Sequence, residues 1–388
     1  MRSIMSEQKV RSIMSEQKVR YALLGCGMMG LEHLKNLALI PGAQVVAIAE
    51  PDLERQKKAA VLAPEATFYT DINGLLTVTD LDAIVIVTPN YQHAEQLLQI
   101  LERTTLAVLI EKPVVTELAQ VAAIKTAVDK HPAPVWVAME YRYMPPISEL
   151  LKRLREQQIG ALKMLTIREH RFPFLEKVGD WNRFNRQTGG TLVEKCCHFF
   201  DLMRLLSEDE VVSVFASAAQ DANHLEESYN GETPDIIDNG YVILNFASGL
   251  RAMLELNMFA EGARYQEEIS AVGLTGKLEC FVPGPGRFWP TATLGASPEA
   301  KIVYSPRSPK GPVEFKVAID PTLLEAGDHN GATYYQHLGF YHSITSKDAV
   351  NVSVDDGLKA VVIGLAAQHS AKYSVVVHLS QDGLSFSY

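Results

Sequence analysis

Cysteine is scarce: four residues in 388, Cys26, Cys196, Cys197 and Cys280, with neither the pairing pattern of a disulfide framework nor zinc-ligand spacing. Adjacent Cys196 and Cys197 would have to converge with His198 to hold a metal. Neighbours on a helix diverge by about 100°, so small packed thiols and no metal are expected. Long apolar runs are missing as well, and none approaches the length needed to span a bilayer, so no membrane partner is expected. Dense Lys/Arg stripes are absent and the net charge is −10, which argues against nucleic acid, whose phosphates demand clustered positive charge. The first residues lack the charged, apolar, then small-residue order of a secretory leader. Together these absences point to a soluble protein of the reducing cytoplasm.

What is present suggests two domains, because 47% hydrophobic residues over this length supply two cores. Arg2–Val10 recurs unchanged as Arg11–Val19, which reads as an added or duplicated segment. Residues 1–18 are therefore expected to form a disordered tail. From 19 to 141 apolar strands alternate with helical patterns, the signature of a doubly wound parallel α/β sheet. From 142 to 388 the period shifts. Hairpin signals around 247–249 and 275–276 predict an α+β domain with a large, mostly antiparallel open sheet.

An apolar strand leads into Gly25-x-Gly27-x-x-Gly30 and then a helical pattern. The glycines suit a tight turn, close approach of backbone to a pyrophosphate, and tight strand–helix packing, with Met28 and Met29 at the phosphate-binding helix start. Glu50 ends the second strand twenty residues on, where a carboxylate accepts both ribose hydroxyls and repels a 2′-phosphate. That favours NAD; NADP stays open because Arg55 is near. Thr88-Pro89-Asn90 and Glu111-Lys112-Pro113 end two further apolar strands, at the edge where such sheets bind ligands. His93, in the next helical turn, is read as a cofactor or loop contact, outside the catalytic set. Two glycines, Gly189 and Gly190, precede a helical segment on which Glu194, His198 and Asp201 are expected to share one face.

These motifs, with Arg142, Pro145, Trp181 and Asp356-Gly357-Leu358-Lys359, resemble the glucose-fructose oxidoreductase / inositol dehydrogenase / rhizopine-catabolism (Gfo/Idh/MocA) family over nearly everything after Lys18. The resemblance implies an NAD(P)-dependent dehydrogenase acting on the CH–OH groups of a sugar, inositol or related polyol, assembled as a homodimer or homotetramer, with the 142–388 domain serving substrate binding and oligomer contacts. Carried onto this chain, it implies His198 as proton acceptor and Lys112 beside the nicotinamide and the reacting hydroxyl. Glu194 stands where the family usually has Asp, to orient the imidazole or bind a second hydroxyl. Arg142, Trp181, Arg183, Lys195 and Asp201 are candidate substrate contacts. The chain departs from the family's Asp-x-Gly-x-His, reading Glu194-Lys195-Cys196-Cys197-His198 instead. Two rivals are a glycoside hydrolase or lyase cycling a tightly held NAD, and a cofactor-bound regulatory protein without turnover. A stoichiometric NADH signal separates the dehydrogenase from the first, and any turnover separates it from the second.

Overall fold

The structure, a computed structural model, describes residues 18–308 and 311–388, so the expected tail lies outside the described residues but for Lys18. The chain divides into two compact units, each assembled from three stretches of sequence. One comprises residues 18–111 with Ala122–Ala138 and Thr333–Val354; the other comprises Lys112–Val121, Met139–Ala332 and Asp355–Tyr388.

The first unit holds a six-stranded parallel sheet in the order β3-β2-β1-β4-β5-β6. Its strands are β1 (Val19–Leu24), β2 (Ala43–Ala49), β3 (Thr67–Tyr69), β4 (Ala83–Ile86), β5 (Ala107–Glu111) and β6 (Val135–Ala138). Strands β4, β5 and β6 are buried at every position, as uninterrupted apolar runs must be in a sheet covered on both faces. The order reverses between β1 and β4, which opens the ligand crevice at the carboxyl ends of these two strands. The helix Ala332–Thr345 joins this unit from late in the chain. Phe340 packs on Tyr21 and Trp136 at ring-centroid distances of 6.2 and 6.3 Å. A Cβ on Gly339 would lie 2.9 Å from the Trp136 ring, so glycine lets the helix seat. A single boundary near 141 therefore does not describe how the chain is shared between the units.

The second unit carries a ten-stranded sheet ordered β14-β13-β12-β11-β7-β10-β9-β8-β15-β16. Its long strands are β7 (Leu162–His170), β8 (Val211–Ala219), β9 (Asn239–Phe246), β10 (Arg251–Asn257), β11 (Glu267–Gly273) and β12 (Gly276–Val282). Shorter ones are β13 (Lys301–Pro306), β14 (Val313–Lys316), β15 (Val377–Leu379) and β16 (Phe386–Ser387). Pairing is antiparallel except between β7 and β10. Alternation along the strands buries Ile167, Ala216, Val242, Leu244, Leu254 and Ile269 on one face. Ser370, on the helix Val354–Tyr373, accepts from the Ala216 N–H at 2.8 Å and ties that helix to β8. The other face leaves Met164, Val212, Phe215, Tyr241 and Ile243 exposed.

Candidate active site

In the first unit β1 delivers the chain to Gly25, whose φ of +96° falls in the left-handed region. A Cβ there would lie 2.7 Å from the Val87 carbonyl oxygen, and one on Gly30 would lie 2.7 Å from the Gly25 carbonyl oxygen. Gly27 differs, because its Cβ would meet only an Arg55 guanidinium nitrogen at 3.4 Å. The first and third glycines thus close the turn, and the second leaves a cradle that a side chain would fill. Gly27 caps the helix Met28–Leu37 with no side-chain hydrogen bond and no acid in the first turn. Unpaired first-turn N–H groups and the positive end of the helix dipole suit a pyrophosphate.

Glu50 is buried, its Oε2 accepting from the Cys26 N–H at 2.9 Å and its Oε1 from the Asp52 N–H at 3.0 Å. It fixes the glycine loop to β2, and each carboxylate oxygen keeps a second lone pair for a ribose hydroxyl. Burial, then the neighbouring Glu50, pushes the Cys26 thiol up to about 12. Beyond β4, the Thr88 carbonyl receives His93 Nε2 at 2.8 Å and the Thr88 hydroxyl donates to Gln96 at 2.5 Å. His93 is therefore a brace for this loop. The buried Asn90 Nδ2 meets no hydrogen-bond partner among the described residues, a donor suited to a ligand. Glycine cradle, carboxylate and amide together fit a dinucleotide.

The second unit gathers the residues with catalytic character. The expected single helix carrying Glu194, His198 and Asp201 on one face is corrected by the structure. The helix Thr191–Glu194 ends after one turn and Cys197–Ser207 starts anew. At the break the Cys196 N–H reaches five residues back to the Thr191 carbonyl at 3.3 Å, a wider turn of the kind found at functional sites. Backbone packing accompanies it, since a Cβ on Gly364 would lie 2.5 Å from the Leu192 carbonyl oxygen. Gly189, with φ +80°, would likewise crowd the Thr116 carbonyl oxygen at 3.0 Å. The Glu194 carbonyl accepts from Lys112 Nζ at 2.9 Å, which anchors the ammonium against the helix break.

His198 is almost fully buried, its ring stacked on Tyr141 at 4.2 Å and 8°, with Nε2 3.6 Å from Glu140 Oε1. Burial first, then the charges of Lys112, Lys195, His329 and Arg171, hold the imidazole well below its usual range. It is therefore a neutral base at physiological pH. His329 Nε2 lies 3.8 Å from the same Glu140 oxygen. The buried Glu194 carboxylate has Oε1 3.7 Å from Lys177 Nζ, while Oε2 meets no hydrogen-bond partner among the described residues. Lys177 also sits 4.7 Å above the Trp181 ring, which links Trp181 to this carboxylate. A neutral imidazole can accept a proton, an ammonium can steady an alkoxide, and a carboxylate can bind a hydroxyl.

The other expected substrate contacts are engaged elsewhere. Arg142 binds Asp201 through two hydrogen bonds, and Asp201 is fully buried. Burial opposes the charge of Arg142, but the Asp201 carboxylate outweighs it and raises the guanidinium further. Arg183 pairs with Glu227 at 2.8 Å, and Lys195 Nζ is held by the Tyr141 hydroxyl at 2.5 Å and Glu169 Oε1 at 2.8 Å. Glu140, Tyr141, Lys177 and His329 had been given no role from sequence. Glu140 and Tyr141 follow the end of β6 as Lys112 follows β5, a signal that could have found them. His329 and Lys177 lie in connecting segments without one.

Glu111 closes a buried chain in the first unit. Its carboxylate accepts from His33 Nε2 at 2.9 Å, and in that neutral tautomer His33 Nδ1 accepts from His337 Nε2 at 2.7 Å. Burial, then His33, keeps His337 neutral by holding its imidazole well below the usual value. The pair braces the end of β5 directly before Lys112. His337→Ala, which strips His33 of its donor, is expected to lower stability by about 1–3 kcal/mol in urea unfolding. A loss below about 0.5 kcal/mol, the size of an ordinary surface change, would contradict the brace.

The family model described as an oxidoreductase NAD-binding Rossmann fold (GFO_IDH_MocA) matches residues 19–139. Its companion, the C-terminal alpha/beta domain, matches residues 152–379. An oxidoreductase, YrbE, of Bacillus subtilis (strain 168) is 27% identical over 359 residues, covering 92% of this chain and 95% of that one. An inositol 2-dehydrogenase of Rhizobium meliloti (strain 1021) is 30% identical over 256 residues, 66% of this chain and 73% of the relative. Among solved structures, a levoglucosan dehydrogenase in complex with NADH superposes with a TM-score of 0.78 at 20% identity, over 94% of this chain and 100% of that one. At that identity the likeness speaks for the fold.

Proposed function

This chain belongs to the Gfo/Idh/MocA family of NAD-binding oxidoreductases, and from that premise we propose that it oxidises a CH–OH group of a sugar, inositol or related polyol. The observation that carries the reading is the buried, neutral His198, whose imidazole feels the charge of Lys112, with the Lys112 ammonium held on the Glu194 carbonyl. NAD, when bound, supplies the two-electron acceptor, and Gly25, Gly27, Gly30, Glu50 and Asn90 are the residues that would hold it. His198 takes the hydroxyl proton. Glu140, 3.6 Å from Nε2, stabilises the imidazolium that results. Lys112 neutralises the developing alkoxide, and Glu194 Oε2, which meets no hydrogen-bond partner among the described residues, accepts a neighbouring hydroxyl, as a polyol provides. Inositols, aldoses and sugar acids assayed with NAD and with NADP test this reading. Cofactor reduction by at least one polyol, faster with NAD, is expected; no reduction across the panel would overturn it.

Homo-oligomerisation through the open face of the large sheet is part of the same reading. The strand registers align Phe215, Ile243, Met253 and Thr166 in one row across four strands. The next row carries Tyr241, Glu255, Arg168 and Glu268, in which Arg168 bonds both carboxylates. An apolar row beside a charged one suits a self-complementary contact between copies. Among the described residues no helix is long and apolar enough to cross a membrane. A cytoplasmic location accords with the four buried cysteines, which are free of disulfides.

A further inference from the structure

Lys195 points away from substrate chemistry and into a buried cluster of charge. Glu169 on β7 and Glu267 on β11 are register partners, directly opposite each other on neighbouring strands, and both are buried. Two carboxylates so placed repel, and burial makes ionising both costly. Lys195 Nζ lies 2.8 Å from Glu169 Oε1, Arg171 Nη1 lies 3.7 Å from the same oxygen, and Gln266 Nε2 donates to Glu267 Oε1 at 2.7 Å. Glu169 Oε2 meets no hydrogen-bond partner among the described residues. The buried Cys280 thiol on β12, register partner of Ile269, also feels the Glu267 charge. Lys195 donates to the Tyr141 hydroxyl, and the Tyr141 ring lies flat on His198.

We propose that Lys195, Tyr141 and the Glu169–Glu267 pair are positioning residues for His198, in which the carboxylate pair holds one exchangeable proton that sets the charge felt by the imidazole. This rests on the reading of His198 as the proton acceptor. Burial first, then Glu169, pushes the Glu267 carboxyl up to about 7, so the pair titrates near neutrality. Below that point Glu267 is neutral, and Lys195 and Arg171 face a single carboxylate. Above it the second negative charge offsets a cation that otherwise depresses His198. The other charged groups facing His198, namely Lys112, His329 and Glu140, are common to the wild type and to the variants compared below. Oxidation of the alcohol therefore speeds up as pH rises through about 7.

Glu267→Gln keeps the shape and the Gln266 neighbour while removing the titration, and Glu169→Gln is the second variant. Infrared spectroscopy of the protein without substrate reads the proton directly. A protonated-carboxyl band that titrates near neutrality in the wild type and disappears in Glu267→Gln is expected, and its absence from the wild type overturns the shared proton. In the pH profile of kcat/KM the wild type is expected to rise about three- to tenfold across neutrality, with the rise lost in both variants. A rise that survives in a folded Glu267→Gln protein overturns the positioning role. The infrared arm needs no turnover, so a titrating band in a protein inactive on every polyol would fault the proposed activity and still support the proton-holding pair.

Discussion

His198→Ala is expected to lower kcat for polyol oxidation by about a hundred- to ten-thousandfold, the range for loss of a positioned general base. Cofactor binding should be unchanged, since the glycine loop, Glu50 and Asn90 belong to the other unit. The pH profile carries a second expectation. Burial and the cations around His198 place its protonation well below the ordinary 6.5, so the proton-accepting form persists into mildly acidic solution. Activity dependent on neutral His198 is lost only as pH falls through that depressed value. Stability has the same sign. The unfolded chain takes up a proton at His198 before the folded one does, so acidification favours unfolding once pH drops below the unfolded value. Histidine-selective nuclear magnetic resonance follows the titration, and a His198 that protonates at or above 6.5 would contradict the electrostatics described.

Lys112→Ala carries the other large effect. Its ammonium is held against the Glu194 carbonyl at 2.9 Å, and its charge is the first after burial to act on His198. Neighbouring Lys195 is tied up by Tyr141 and Glu169, and Lys177 by Glu194 and the Trp181 ring. Loss of one such electrostatic stabiliser costs about a hundred- to a thousandfold in kcat. Arginine is expected to restore little of it, because a planar fork cannot occupy the seat of a compact ammonium. Steady-state kinetics decide: near-normal kcat in either variant would remove Lys112 from the reaction.

Much of this was legible in sequence, and what was hidden shares a physical cause. The parallel sheet announced itself through continuous apolar strands, and the glycine loop, Glu50 and Lys112 through their places at strand ends. Local pattern also exposed the long hairpins β9–β10 and β11–β12. It could not show that β7 pairs in parallel with β10, nor that the helix Ala332–Thr345 returns to bury Phe340 on Tyr21 and Trp136, because those are long-range packing choices. The short strands β13 to β16 lie among proline, glycine and terminal residues whose pairing depends on neighbours already in place. Regular 3.6-residue spacing implied one helix through Glu194 and His198. The break at Lys195–Cys196 is accompanied by backbone packing of Leu192 against Gly364, a long-range contact that no local periodicity reveals. Lys195 itself read as a cation near substrate, whereas its partners Glu169 and Tyr141 come from 26 and 54 residues away, as the separations in sequence show.

The central claim is that a polyol carbon bearing a hydroxyl gives up its hydrogen to the nicotinamide while His198 takes the hydroxyl proton. Deuterium placed on that carbon tests it most directly. With NAD present, the account predicts that the label appears in the reduced cofactor and that kcat/KM falls by a primary isotope effect. Label released to water, or turnover of the polyol with no labelled reduced cofactor, would contradict it.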